Sequence, residues 1–555
     1  MSPAETSRAN PSGIELDDLL AAGSAAEPLE TRSKFRLAAI LVALYLALFI
    51  AALDQTIVAT AVPTIASELH SSSGYVWVMT AYLLAGAAAG PIWAKLSDIW
   101  GRKPILLSAV MFFLVSSIVC AKASSMTMLV VGRALQGTAG GGLMQLVLIT
   151  ISDLFSVRNR TLYLGLTEIM WAVAGGFGPI LGGAFTQLAT WRWCFWVNLP
   201  ISGSVFFLLL FFLDVHNPQT RFLDGFKAID WAGGLSILGL TIMLLLGLEF
   251  GGATFPWKSP QVICLIIFGI LMSLVFVYSE KKLAQYPLMP LDVLSHPSNI
   301  ACLLLTFFQG MVFIGGEFYL PLFFQSVRQA SPLHSGILIM PITICEALMG
   351  ISVGIILHRT GRYLELLRIG TVLMTIGNGL YISFSSSSSI GQVVGYQILA
   401  GLGAGMLFEP PLIALHALVS QEDTATATST LGFVRNLGTS ISIVIGGVIF
   451  QNSMDLQVPT LLNEGVSRNV TDLLGGGAAS ANVMIIGTIA SSQQQMAVKN
   501  AFAKSLRNMW IFYTCIAACS IVASVFVSKQ VLSKVHVETK TGLKEKLVPE
   551  APQPS

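Results

Sequence analysis

The sequence predicts an all-α polytopic membrane protein, built from two six-helix halves with two further helices inserted between them. Of its 555 residues, 54% are hydrophobic and only 11% are charged, whereas soluble chains average about 25% charged residues. Its mean hydropathy is +0.74. The hydrophobic residues are gathered into long runs, and a helix needs about 20 apolar residues to cross a bilayer. Because lipid offers the backbone no hydrogen-bond partners, these runs are expected to be helices.

The same composition excludes several classes of protein. A soluble enzyme, a nucleic-acid-binding protein or a disulfide-rich secreted domain would carry more charge or a cysteine framework. The net charge of +2 is too small to indicate an anionic partner. The seven cysteines lie in or beside apolar runs, at spacings typical of neither zinc sites nor disulfides. We therefore expect no metal site, no cofactor and no nucleic-acid partner.

Fourteen apolar runs divide the chain into regions. They lie at about 37–62, 75–94, 104–121, 126–151, 161–188, 193–213, 229–250, 260–279, 299–323, 334–357, 364–384, 391–416, 424–450 and 508–528. Each is close to the length that a bilayer demands. The predicted regions are a disordered cytoplasmic tail (1–36), an N-terminal six-helix half (37–213), a linker with the two inserted helices (214–298), a C-terminal six-helix half (299–528) that includes an extracellular loop (451–507), and a cytoplasmic tail (529–555).

The distribution of lysine and arginine predicts the orientation of the chain. Most of these residues fall in loops on one side when both termini are placed in the cytoplasm, as the positive-inside rule requires. Two cytoplasmic termini imply an even number of spans. The predicted extracellular loop contains Asn469-Val470-Thr471, which has the pattern of an N-glycosylation acceptor. We therefore expect Asn469 to be glycosylated.

A weak internal repeat relates the two halves. The segment Ala94–Lys103 follows the second span, and Gly354–Tyr363 follows the second span of the last six. In the same way Arg133–Gly137, in the fourth span, is echoed by Gln397–Gly401. Two related helical halves around a central site are typical of secondary transporters.

Four motifs carry a resemblance that covers nearly the whole chain. They are Leu53–Pro63 in the first span, Leu96–Lys103 in the following cytoplasmic loop, Arg133–Gly142 in the fourth span and Gly178–Gly183 in the fifth. With them the chain resembles the 14-span drug:proton antiporters of the major facilitator superfamily, particularly fungal toxin and drug exporters. The resemblance implies the major facilitator fold, alternating access, and a monomer that moves a small molecule and protons across the lipid bilayer. It implies a transporter with no catalytic residues, not an enzyme.

Charged residues at membrane depth are the candidates for proton coupling, because such groups are costly to bury. Asp54 and Arg133 lie at a similar depth, about 10–12 Å from the outer ends of spans 1 and 4. They can therefore pair, and protonation of Asp54 would release Arg133; the alternative is a permanent ion pair that only orders the helices. Glu317, near the outer end of its span, is a second proton site, an attractor of cationic substrates or a solvated interfacial group. The resemblance implies that the first, fourth, seventh and tenth helices of the twelve-helix core, counted without the inserted pair, line the central cavity.

Two motifs predict moving parts of the transporter. Asp98 is expected to cap a neighbouring helix or to pair with Arg102, which would latch the cytoplasmic side, while Gly101 allows the tight turn between them. The alternative is that the basic residues here only set the topology. In span 5 the residues Gly178, Pro179, Gly182 and Gly183 form an antiporter motif. Its small residues permit close helix approach, and its proline can kink the helix, so we expect it to seal the interface between the halves.

The candidate residues of the substrate cavity are Trp171, Phe313, Glu346, Glu409 and Arg435. Glu346 and Arg435 lie near mid-membrane, where they are expected to pair. Glu168, about one turn inside span 5, is expected to extend to the interface.

These observations predict a proton-coupled efflux antiporter at the plasma membrane, which exports lipophilic compounds such as drugs, fungicides or a secondary-metabolite toxin. Two alternatives remain open. One is a transporter of basic amino acids or siderophores in the plasma or vacuolar membrane. The other is a transporter-like nutrient receptor that does not transport, although receptors of this kind usually have longer cytoplasmic tails.

Overall fold

The computed structural model describes most of the hydrophobic part of the chain. The described residues are 33–58, 61–69, 74–215, 218, 220–251, 255–284, 288–289, 291–421, 423–475, 479–480 and 482–532. Their regular structure is helical, apart from one isolated bridge between Gly251 and Phe255. The predicted disorder of the two tails concerns residues that lie almost wholly outside these ranges.

The first half begins with a long helix and continues through α9. Its helices are α1 (Lys34–Ile57), α2 (Val62–Glu68), α3 (Gly74–Trp100), α4 (Arg102–Ala121), α5 (Met126–Leu154), α6 (Val157–Gly165), α7 (Thr167–Leu188), α8 (Trp193–Trp196) and α9 (Asn198–Phe212). The predicted first span therefore ends at Ile57, and the fifth and sixth spans are each divided into two helices.

The linker contributes α10 (Phe222–Ala228) and the inserted pair, α11 (Trp231–Phe250) and α12 (Pro260–Tyr278). A π-helical turn (Ser279–Leu283) and a 3-10 turn (Leu291–Leu294) lead on to the second half. Helices α11 and α12 pack on each other, and α11 also contacts α3 and α18 (Thr424–Asp455). The inserted pair therefore lies at the seam where these two helices of opposite halves meet.

The second half repeats the pattern of long helices. Its helices are α13 (Pro297–Ser326), α14 (Pro332–Thr360), α15 (Tyr363–Tyr381), α16 (Ile390–Gly405), α17 (Pro410–His416), α18, α19 (Val458–Asn463), α20 (Arg468–Leu474) and α21 (Ser492–Val525). The predicted twelfth span is divided into α16 and α17 because prolines have no amide hydrogen and fit only the first turn of a helix, which Pro410 begins. Helix α21 begins well before residue 508 in a polar segment that hydropathy does not detect; the hydroxyl of Ser491 caps it by accepting from the amide of Gln494.

Thirteen helical stretches among the described residues are long and apolar enough to cross a membrane. Helix α15, at the position of the predicted eleventh span, has 19 residues but is not among those thirteen. The all-helical fold class is thus confirmed, and the count of fourteen spans stays a prediction.

The cores show how the two halves meet. One continuous hydrophobic core contains side chains of both halves, for example Leu154 and Leu164 from the first and Val353 and Leu412 from the second. At the other end of the bundle each half has a separate core, around Trp191 in the first half and around Trp510 in the second. The bundle is therefore joined at one end and divided at the other. We call the joined end the basic end, because Arg102, Arg158, Arg160 and Arg359 lie there.

Candidate functional site

A buried ion pair joins α1 to α5 inside the first half. Arg133 donates to a carboxylate oxygen of Asp54, and both side chains are 0% exposed. The two residues that the sequence placed at the same depth are therefore in direct contact. Asp54 lies one turn before the end of α1, which is closer to the helix end than the sequence predicted.

The carboxylate of Asp54 receives two more hydrogen bonds, from residues that the sequence analysis missed. The side-chain amides of Gln136 and Asn198 each donate to Oδ1 over 2.8 Å. Gln136 also donates to the hydroxyl of Ser117 over 2.9 Å. Asp54 is therefore held directly by groups from α5 and α9, and Ser117 of α4 supports Gln136. Gln136 follows Arg133 by one helical turn within the quoted motif, and this spacing is the signal that could have identified it.

Arg133 is held in the same way. Its Nε donates to the carbonyl of Val78 over 3.0 Å, and its Nη1 donates to Gln136 over 2.8 Å. The guanidinium lies 4.4 Å from the ring centroid of Tyr82 and 5.8 Å from that of Phe195. These contacts enclose the pair within one half, so Asp54 and Arg133 do not face a central cavity in this conformation.

The loop motif forms a compact ionic cluster at the basic end. Arg102 donates to Asp98 over 2.5 Å and to Asp153 over 2.6 Å, and its side chain is 2% exposed. Gly101 has a φ of +93°, which a residue with a Cβ rarely adopts, so the turn depends on this glycine. Of the two predicted roles for Asp98, the structure shows the pairing with Arg102. Asp153, at the end of α5, had not been identified from the sequence.

Hydrogen bonds between the halves are found at this same end. Arg158 donates to the carbonyl of His358 over 2.8 Å and to that of Arg359. Arg160 donates to Nδ1 of His416 over 3.2 Å and to Gln421 over 3.1 Å. The first half therefore contacts two segments of the second half, and these contacts hold the basic end closed.

The antiporter motif lies in α7 and contacts its own half. A Cβ added to Gly178 would collide with the side chain of Thr56 on α1, whereas one added to Gly183 would meet open space. The carbonyl of Gly182 accepts from Thr186 over 2.6 Å, and nothing is described for the side chain of Pro179. Gly178 itself therefore packs on α1 of its own half, although α7 also contacts α14 of the other half, and the expected role of the motif in sealing the interface between the halves stays a prediction.

The expected pair of Glu346 and Arg435 is not formed. Arg435 instead donates to the carbonyl of Phe408 over 3.0 Å, and its guanidinium lies 5.3 Å from the Phe408 ring centroid. Its electrostatic partner is Glu168. Glu346 is 5% exposed, and its Oε1 has no hydrogen-bond partner among the described residues. Depth along a helix predicts which groups share a level, but not which faces they occupy.

Glu168 also departs from its expected position, because its side chain packs against Gly350 of α14 rather than extending to the interface. It thus lies between the two halves.

The other predicted cavity residues are dispersed. Glu317 accepts from the hydroxyl of Thr343 over 3.1 Å, and Trp171 is 36% exposed. Phe313 lies edge-on to Phe408, with 5.3 Å between ring centroids, which places it beside Arg435. Glu409 is 4% exposed, and neither of its carboxylate oxygens has a hydrogen-bond partner within the described part of the chain.

At the end of the bundle opposite the basic end, Glu68 joins α2 to the segment that begins α8. It accepts from Arg192 over 2.8 Å and from the indole of Trp191 over 2.8 Å. The hydrogen bond from Arg192 is the main reason that the pKa of Glu68 is held below its usual range. Asn469, the predicted glycosylation site, is exposed in α20.

Comparisons with known proteins agree with this architecture. A protein named Efflux pump dotC, from Dothistroma septosporum, is 44% identical over 507 residues, which are 91% of this chain and 87% of that protein. Efflux pump FUS6, from Gibberella fujikuroi, is 34% identical over 522 residues, covering 94% of this chain and 93% of that protein.

Two solved structures share the fold at low sequence identity. The proton:xylose symporter XylE aligns with a TM-score of 0.56 and 12% identity, covering 90% of this chain and 98% of that chain. The human organic anion transporter MFSD10 aligns with a TM-score of 0.53 and 14% identity, covering 86% and 99%.

The family model described as Major Facilitator Superfamily matches residues 44–443. Together with the curated relatives, this match confirms the resemblance drawn from the four motifs and the prediction of a transporter rather than an enzyme. The chain is a multi-pass membrane protein that belongs to the major facilitator superfamily.

Proposed function

We propose that the protein is a proton-coupled antiporter that exports lipophilic small molecules, such as drugs or a secondary-metabolite toxin, across the plasma membrane. The observation that carries the proposal is the fully buried cluster around Asp54, in which one carboxylate is paired with one guanidinium. A proton on Asp54 would remove the negative charge and leave Arg133 unpaired. Arg133 makes its other contacts to groups without a negative charge.

The energy of this event is large enough to drive a conformational change. Removing one partner of a buried ion pair costs about 3–5 kcal/mol, because the remaining charge is uncompensated. Gln136 and Asn198 also donate to Asp54, so proton binding must displace an arrangement that joins α1, α5 and α9. Such an arrangement couples protonation to helix movement in the first half.

The closed basic end is consistent with one stage of an alternating-access cycle. The halves share a core and hydrogen bonds at that end and have separate cores at the other. We predict that the basic end is cytoplasmic, so this conformation would expose a central site to the outside. The names of the fungal relatives, which describe efflux pumps, support export over the alternatives of amino-acid or siderophore transport and of a receptor.

The test measures accumulation of lipophilic dyes and toxins in yeast that lack their own drug pumps. We expect the full chain to lower accumulation, and we expect a protonophore or Asp54→Asn to abolish this effect. The matched control is Asp214→Asn, which removes a carboxylate from an exposed pair with Arg36 and should leave export unchanged. Unchanged accumulation with the protein present at the cell surface, across the whole panel, would contradict broad export.

Three further properties belong to the same proposal: fourteen spans, two cytoplasmic termini and glycosylation of Asn469 in an extracellular loop. Asn469→Gln should remove an electrophoretic shift that an N-glycosidase also removes. If the wild-type chain shows no such shift in a fungal host, the predicted glycosylation is wrong.

A further inference from the structure

Glu409 occupies an unusual position at the boundary between the halves. It lies between α16 and α17, directly before Pro410. A methyl group added to Gly165 would lie 2.8 Å from its Oε1, and one added to Gly354 would lie 3.3 Å from its Oε2. Gly165 ends α6 in the first half, and Gly354 lies in α14 of the second. The carboxyl group of Glu409 is therefore enclosed by walls from both halves.

This enclosure offers no partner for a charge. Glu409 is 4% exposed, and both oxygens are without a hydrogen-bond donor among the described residues. Burying an ionised carboxylate without a donor or a cation is strongly unfavourable, and a buried group of this kind takes up a proton instead. In the closed basic end, the carboxyl group is therefore expected to be neutral.

The titratable groups around Glu409 do not compensate its charge. Tyr45 on α1 and Glu168 on α7 are its electrostatic neighbours, and the second of these is itself a carboxylate. Tyr163 on α6 contributes its backbone carbonyl to the hydroxyl of Tyr45. Glu346 on α14 interacts with Glu168, so the next titratable group in the region is again acidic and supplies no cation.

The nearby basic groups are engaged elsewhere. On α18, Arg435 donates to the carbonyl of Phe408 and is attracted to Glu168. On α6, Arg160 donates to His416 of α17 and to Gln421, and Arg158 donates to backbone carbonyls at the end of α14. None of these contacts joins a cation to Glu409.

We propose that Glu409 is a second proton-binding site, separate from Asp54, that controls the basic end. When α6 and α14 approach, the carboxylate binds one proton from water on that side and becomes a neutral carboxylic acid. When the two helices separate, water reaches the group, and its O–H bond breaks to return the proton and leave the hydrated carboxylate. Acid on that side therefore favours closure. The inference rests on the opening of the basic end in the proposed transport cycle, but not on coupling at Asp54 or on the exported compound.

The first experiment detects the proton directly. Infrared spectra of the purified full-length protein at neutral pH should contain the carbonyl band of a buried protonated carboxylic acid. Because Glu346 is also buried and can contribute to this band, Glu409→Gln should lower its intensity, whereas Glu365→Gln, at an exposed position on α15, should leave it unchanged. If the wild-type and Glu409→Gln spectra are identical in this region, Glu409 is ionised in the closed state and the proposal is wrong.

The second experiment measures the distance between α6 and α14 at the basic end. Spin labels at Asn159→Cys and Thr360→Cys, exposed positions of α6 and α14, report the width of the basic end in a background whose other accessible cysteines are serine. For one proton, the ratio of closed to open protein should rise by up to about tenfold for each unit fall in pH. Glu409→Gln, and Glu409→Leu as a second neutral variant, should stay closed and lose this dependence.

The outcomes separate this inference from the proposed function. Equal pH dependence of the label distance in the wild type and both Glu409 variants would overturn the proposal that Glu409 controls the basic end, even if export is proton-driven. Conversely, Asp54→Asn should abolish export while the pH response of the label distance remains. A label distance that does not respond to pH in the wild type would also contradict the proposed role of Glu409.

Discussion

The two buried carboxylates Asp54 and Glu409 are treated in opposite ways by the fold. Asp54 receives a cation and two amide donors, and its partners belong to one half. Glu409 has no donor among the described residues, and its walls belong to both halves. The first group is therefore stabilised as a charge whatever the distance between the halves, whereas the second is stabilised as a neutral acid only while the halves touch. Protonation of Asp54 would therefore rearrange the helices of one half, whereas protonation of Glu409 depends on whether the two halves are in contact.

The largest expected effect comes from breaking the pair in the first half. Arg133→Leu should abolish transport and lower the free energy of unfolding by about 3–5 kcal/mol, because Asp54 stays buried without its cation. Thermal unfolding in detergent and dye accumulation in cells measure the two effects. The double substitution Asp54→Asn with Arg133→Leu should recover much of the stability but no transport. If the double variant is no more stable than Arg133→Leu, the pair is not the source of the loss.

A smaller effect is expected from the neutral partner Gln136. Gln136→Met keeps the size of the side chain but removes the bonds to Asp54 and Ser117 and the bond accepted from Arg133. We expect a loss of about 1–3 kcal/mol in stability, since a hydrogen bond to a charged group is lost, and weaker transport, because one of the two amide donors that hold Asp54 is removed. A matched control is Gln494→Met, whose amide donates to a backbone carbonyl at an exposed position. Stability and transport no lower than those of Gln494→Met would show that the hydrogen bond from Gln136 does not hold Asp54 in place.

Sequence reasoning located the charged groups better than their partners. Asp54 and Arg133 were expected to be at one depth, and helical rise alone is enough to place two residues at the same level. Asn198 was missed because an uncharged side chain at the start of a helix gives no signal of its own. The pairing of Glu346 with Arg435 was wrong because depth does not define the face of a helix. The site around Glu409 depends on where α6 crosses α14, which is a property of packing between segments far apart in the sequence.

Adding a methyl group to Gly165 tests the close approach of α6 and α14 around Glu409. Gly165→Ala should weaken closure of the basic end, because its Cβ would lie 2.8 Å from Glu409 and 3.2 Å from the backbone of Gly354. The spin-label distance between α6 and α14 should therefore lengthen at every pH. Gly183→Ala is the matched control, since its Cβ would meet open space and alanine favours a helix over glycine by about 1 kcal/mol. Equal label distances in the two variants would show that the close approach of Gly165 and Gly354 does not determine how far the basic end closes.

The smallest effect is expected far from both sites, at Glu68. Its bond with Arg192 holds the pKa of Glu68 below the usual range, so the contact stabilises the protein at neutral pH and loses its contribution as the pH falls below about 4. Because the side chain of Glu68 is exposed and that of Arg192 is half-buried, Glu68→Gln should lower stability by less than about 1 kcal/mol. The difference from wild type in thermal unfolding should disappear in acid, and it should shrink in high salt because screening weakens exposed pairs. A loss as large as that of Arg133→Leu would mean that the contact between α2 and the start of α8 holds the first half together, and the contrast between buried and exposed charges would then fail.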